Sequence, residues 1–195
     1  MSRGNKYYII YKPKGCLSQF SKEHGKMALG DFFFDLPKDI YPIGRLDEDS
    51  EGLLILSNDK AINSLLLEPK NGHWRTYWVQ VFGQISKKAI KELEIGVEIH
   101  VKKQKHHTLP AKIKKGMPPK NIPYLDVFEK HTSWVRISIQ EGKNRQIRKM
   151  TAKVGFPTLR LIRTHIELLD LGDLQPSDYK KMDKKQIYSK LKLDR

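Results

Sequence analysis

The chain has 195 residues, 38% of them hydrophobic, and a formal net charge of +15. That length suits one domain or two small lobes around a real apolar core, without help from disulfides or metal. The lone cysteine, Cys16, excludes an internal disulfide, Cys/His metal-finger spacing is absent, and no apolar run approaches the roughly 20 residues of a membrane span. The excess of positive charge is clustered as well as large, which makes a polyanion, and nucleic acid first, the expected partner.

In chain order, Lys6 to Lys12 is rich in β-formers and ends at Pro13 and Gly15, predicting a strand and a basic turn. The apolar run Tyr7 to Tyr11 is too short for a secretory leader, so a reducing cytoplasm is expected. Phe32, Phe33, Phe34 and Leu36 are candidate core. Leu53 to Leu56 predicts a buried strand. Ala61 to Leu67 carries helical spacing, with Ser57, Asn58 or Asp59 to cap it and Pro69 to stop it. Trp74 to Phe82 predicts a long strand, and Ser86 to Leu93 a helix closed by Gly96. Between Lys102 and Lys120 lie seven lysines and no acid, read as loops around a short strand at Leu109 to Ile113, a solvated face that can also contact phosphates. Trp134 to Gln140 alternates, with Val135, Ile137 and Ile139 on one face. A helix from an Asn144 cap to Val154 follows, then a strand from Leu159 to Ile166. The expected fold is α+β, a mixed, mainly antiparallel sheet with flanking helices, because regular βαβ alternation is missing.

Three segments carry candidate chemistry. In Gly44-Arg45-Leu46-Asp47-Glu48-Asp49-Ser50-Glu51, four acids fall within five residues of a basic chain. Carboxylates repel phosphate, so in a basic cleft one of them has a task, and otherwise the segment is a solvated turn. In Glu141-Gly142-Lys143-Asn144-Arg145-Gln146-Ile147-Arg148, Arg145 and Arg148 share a helix face, either to bind phosphate or to keep a catalytic carboxylate ionised. In Arg75-Thr76-Tyr77-Trp78, Tyr77 is either core or a stacking platform for a base.

Gly44-Arg45-Leu46-Asp47 with Ser50 and Gly52-Leu53-Leu54, then Arg75-Thr76-Tyr77, Asn144-Arg145-Gln146-Ile147-Arg148 and Leu161-Ile162-Arg163, resembles in order the pseudouridine synthases that modify ribosomal RNA. The likeness spans residues 6 to 180, and the run Glu141 to Arg163 is closest to the large-subunit enzymes of that family. It implies the pseudouridine synthase fold with a central RNA-binding cleft, isomerisation of uridine in large-subunit ribosomal RNA, and a monomer; no cofactor, no metal and no membrane are expected, and the location expected is the cytoplasm. It implies Asp47 as catalytic aspartate, Tyr77 packed on the target base, Arg148 ion-paired with Asp47, and Leu161 lining the base pocket. Arg45, Arg145, Lys12 and Lys14 are the accompanying substrate contacts. The catalytic domain is expected over 1–180 without a separate N-terminal RNA-binding domain, and 181–195 as a basic tail. Two other readings are a non-catalytic RNA-binding or ribosome-assembly protein, and a nuclease holding magnesium on Asp47, Asp49, Glu51 and Asp59.

Overall fold

The computed structural model describes residues 4–120, 122 and 131–193. Its main sheet is built on β1 (Tyr7–Lys12), β3 (Glu51–Ser57), β9 (Thr158–Ile166), β4 (Arg75–Phe82), β8 (Thr132–Ile139) and β7 (Lys112–Lys115), neighbours in that order. β11 (Tyr179–Met182) pairs outside β1, β2 (Tyr41–Ile43) caps β3, and β10 (Leu169–Asp170) caps β9. Every pairing in this sheet is antiparallel except β3 with β9. The mixed, mainly antiparallel α+β architecture read from the sequence is the one observed.

The β3–β9 seam puts the strand following the acidic loop beside the strand carrying Leu161 and Arg163. Gly52 faces Arg163 there with φ +102, and a Cβ on it would lie 2.3 Å from the Arg163 carbonyl oxygen. Only glycine allows this approach.

Alternation distributes the core over both faces. Tyr8, Ile10, Leu54 and Leu56 pack with Leu29, Phe33, Leu36 and Ile40, while Tyr7, Ile9, Leu53 and Ile55 pack with α2 (Lys60–Leu67) and α5 (Lys184–Leu191). On the β4–β8 side, Tyr77, Val79, Val81, Val135, Ile137 and Ile139 meet α3 (Lys87–Ile95) and α4 (Gln146–Lys153). The remaining helix, α1 (Leu29–Phe32), is a single turn.

Several expectations are corrected. Phe34 is 83% exposed, although Phe33 and Leu36 are buried. The segment 181–195, expected as a tail, contributes Met182 to β11 and forms α5, whose Ile187, Tyr188 and Leu191 are core; its lysines lie on the opposite, wet side of an apolar i, i+4 stripe. The lysine-rich stretch begins inside a hairpin, β5 (Glu98–Val101) with β6 (Gln104–His107), turning on Lys102 and Lys103, and the later short strand falls at Lys112–Lys115 rather than Leu109 to Ile113. The cap of α4 is Arg145 in the left-handed region, not Asn144.

Candidate active site

The Arg45–Ser50 loop between β2 and β3 is fastened from several directions. Gly44 takes a positive φ of 74° to enter it. Ser18 donates to the Leu46 carbonyl at 2.8 Å and accepts from the Leu46 amide at 3.0 Å. Gly15 N–H donates to the Glu48 carbonyl at 2.8 Å, and Ser50 N–H to the Asp47 carbonyl at 3.0 Å. Arg148 Nη2 donates to the Asp49 carbonyl at 2.7 Å. A loop with its backbone polar groups so engaged holds its side chains in fixed directions.

Lys12 is part of this scaffold. Its side chain is fully buried, and its Nζ donates to the carbonyls of Pro13 (2.9 Å), Cys16 (2.6 Å) and, more distantly, Glu48 (3.5 Å). Burial pushes its pKa down to about 8. The expectation that Lys12 contacts substrate is therefore corrected: its ammonium is spent on carbonyls under the loop. Lys14, in the same turn, is exposed.

The loop opens onto a cavity of about 1150 Å³ lined by Arg45, Asp47, Tyr77, Arg145, Leu161 and Arg163 among others. Tyr77 and Leu161 form apolar wall, 8% and 6% exposed. The cross-strand pairs Tyr77↔Arg163 and Val79↔Leu161 bring them together. Tyr77 is at once core and cavity wall, so the two readings of it are not exclusive. The far wall comes from the strand-to-helix turn after β8. Glu141 there accepts from the Leu109 amide (2.8 Å) and the Gln146 amide group (2.7 Å) and meets His106 Nε2 at 2.9 Å, tying the β5–β6 hairpin to the start of α4.

The arginines are distributed differently from the expectation. Arg145 grips Asp49 through two bonds, 3.0 and 2.7 Å, and stands 3.9 Å from Asp47. Arg148 Nε lies 3.3 Å from the Asp49 carboxylate. The expected Arg148–Asp47 ion pair is thus corrected: Asp49 holds both guanidinium groups, and among the described residues Asp47 reaches only Arg145, at 3.9 Å. The bond from Arg145, opposed by burial, keeps Asp49 below the usual carboxylate range. Burial pulls the Arg148 pKa down, with Asp49 opposing. The Asp47 carboxylate, one-third exposed, makes no hydrogen bond among the described residues. Its oxygens border the cavity without a hydrogen-bond donor among the described residues.

The acids considered as magnesium ligands are dispersed. Asp49 serves Arg145, Glu51 is clamped by Arg160, and Asp59 accepts from Tyr7 and Tyr188. Sequence reasoning missed that Asp49 takes both guanidinium groups and that Arg163 lines the cavity. Arg163 was within reach of it, since it lies two residues after Leu161 and so on the same strand face.

The family model of RNA pseudouridylate synthase matches residues 6–153. The chain belongs to the RNA pseudouridylate synthase family. It is accordingly an isomerase that converts uridine to pseudouridine in RNA. It is 42% identical over 185 residues to ribosomal large subunit pseudouridine synthase E of Vibrio parahaemolyticus, covering 92% of this chain and 75% of that one. With the synthase E of Xanthomonas campestris it shares 37% identity, over 92% and 96% of the two chains. A crystal structure of a pseudouridylate synthase superposes with a TM-score of 0.77 at 25% identity, covering 96% of this chain and 74% of that one. Among the described residues no helix is long and apolar enough to cross a membrane.

Proposed function

We propose that this synthase acts on a uridine of large-subunit ribosomal RNA, and that Asp47 is its catalytic carboxylate. One observation carries the assignment of Asp47: in a cavity lined by arginines, its carboxylate alone among the loop acids facing them is not closed off by hydrogen bonds. The names of the relatives support the choice of RNA.

Inside folded RNA the glycosidic bond is hidden, so the uridine would be flipped out at a cost of a few kcal/mol. Packing on the Tyr77 ring offsets part of that, by about 1–3 kcal/mol. Leu161 bounds the base on the same wall. Arg45 and Lys14, both exposed, are placed for phosphates. Arg145, 3.9 Å from Asp47, borders the same side of the cavity. The isomerisation is redox-neutral and internal to one nucleoside, so this chemistry calls on no electron carrier. The same reading has the enzyme working as a monomer in the cytoplasm, where its substrate is made.

The test is a pseudouridine map of ribosomal RNA from cells lacking the protein, complemented with wild type or Asp47→Asn. Wild type should restore one large-subunit site and Asp47→Asn none. Restoration by Asp47→Asn would remove Asp47 from the chemistry, and a site in another RNA would refute the substrate.

A further inference from the structure

Among the cavity-lining side chains, Arg163 is a buried cation with no ion pair among the described residues. It lies on β9 between Gly52 of β3 and Tyr77 of β4 and is 5% exposed. Its Nε donates to the Leu53 carbonyl at 2.8 Å, and its Nη2, sealed from solvent, has no hydrogen-bond partner among the described residues. The Tyr77 hydroxyl lies beside it, and the charged side chain acting on it is another cation, Arg75. Compare Arg160, three residues earlier on the strand, whose buried guanidinium is neutralised by Glu51 through bonds of 2.7 and 2.9 Å. A buried cation without a counter-ion costs several kcal/mol, so a site that retains one holds it against a charge that arrives later.

We propose that Arg163 is a catalytic residue, the electrophile that stabilises the uracil anion. The inference rests on the cavity being where uridine reacts. When the C1′–N1 bond breaks heterolytically, its electron pair stays on the base and spreads from N1 onto O2 and O4. A guanidinium donating to one of those oxygens lowers the energy of that state more than that of neutral uridine, which is the condition for catalysis rather than mere binding. The pair then returns as C5 bonds to C1′. C5 loses its proton to solvent and N1 gains one, so electrons and protons balance without a further reactant.

Stability and turnover should part company, which separates this role from a structural one. Arg163→Met, of similar length and uncharged, should keep or raise the melting temperature. It should lower kcat on a ribosomal RNA fragment about 10²–10³-fold, the usual loss for one preorganised donor, with KM within about threefold. Arg163→Lys, which keeps a cation, should turn over at least about tenfold faster than Arg163→Met. The proposal is overturned if Arg163→Met keeps kcat within about tenfold of wild type, if the loss lies in KM, or if activity in both variants merely follows a falling melting temperature. An active Arg163→Met beside an inactive Asp47→Asn would sink this inference and leave the site assignment standing. Pseudouridine formation that survives in both variants would sink the site assignment itself.

Discussion

Glu51 offers the sharpest test of how the active-site loop is anchored. It is 4% exposed, begins β3 four residues after Asp47, and binds Arg160 of β9 through Nε (2.7 Å) and Nη2 (2.9 Å). Tyr11 of β1 donates at 3.0 Å to the Oε2 that also accepts from Arg160 Nη2, so one carboxylate ties three strands together. Burial, followed by the Glu51 charge, pushes the Tyr11 pKa up, which keeps that hydroxyl a donor. Glu51→Gln preserves shape and still accepts from Tyr11, but removes the negative charge that the 8%-exposed Arg160 grips through Nε and Nη2. Breaking a buried pair from one side costs about 3–5 kcal/mol, and a chain of this size loses about 2–4 °C of melting temperature per kcal/mol. The expected loss is therefore about 6–20 °C. Adding Arg160→Met should recover at least about half of it, because the double variant no longer sets a buried guanidinium against an uncharged amide. Urea unfolding followed by tryptophan fluorescence measures both. A loss below about 1 kcal/mol for Glu51→Gln, or a double variant no better than the single, would refute the reasoning.

Three further outcomes are expected. Arg148→Lys cannot reach both the Asp49 carboxylate and the Asp49 carbonyl, contacts now at 3.3 and 2.7 Å, so turnover should fall about 10–100-fold with RNA affinity little changed; single-turnover kinetics would expose an unaltered rate. Lys12 is held near 8 by burial, below its unfolded value, so the unfolded chain binds the extra proton between about pH 8 and 10.5 and wild type should gain about 2 kcal/mol over Lys12→Met across that window; denaturation at pH 7 and 10 would show a flat difference if the ammonium were not buried. Gly52→Ala places a methyl group 2.3 Å from the Arg163 carbonyl oxygen at a positive φ, and should cost more than about 3 kcal/mol or yield insoluble protein, whereas a normal melting curve would contradict the seam described above.

The strands were legible because period-two alternation survives wherever one face is buried, as in Val135, Ile137 and Ile139. The start of α2 was legible because Asp59 offers a side-chain cap to the Ala61 amide. The β5–β6 hairpin was not. Its turn places Lys102 and Lys103 at φ 49° and 65°, where Asn-Gly would have advertised the geometry, and lysines there read as generic solvated charge. Lys12 misled for a related reason: charge in a sequence signals exposure, and only the fold reveals that three carbonyls converge on it. The Arg148 partner was undecidable between Asp47 and Asp49, two residues apart on a turning loop. The order of the motifs gave the family, while the direction of each side chain depended on hydrogen bonds from Ser18, Gly15 and Arg148 that no local pattern encodes.

The charges around the cavity explain why that direction matters. Asp49 occupies Arg145 and Arg148, and Glu51 binds Arg160, which leaves Asp47 as a loop carboxylate without a hydrogen bond and Arg163 as a buried cavity cation without an ion pair among the described residues. Heterolysis of a glycosidic bond creates charge of both signs, positive at C1′ and negative on the base. An anion available to the sugar and a cation available to the base match that separation. Two groups serving one transition state should not contribute additively: once Asp47→Asn has abolished bond breaking, no uracil anion forms for Arg163 to stabilise. The double variant Asp47→Asn with Arg163→Met should then be no slower than Asp47→Asn alone in a sensitive single-turnover assay. If the two losses multiply instead, the residues act at separate steps, and the picture of one bond broken between two unspent charges is wrong.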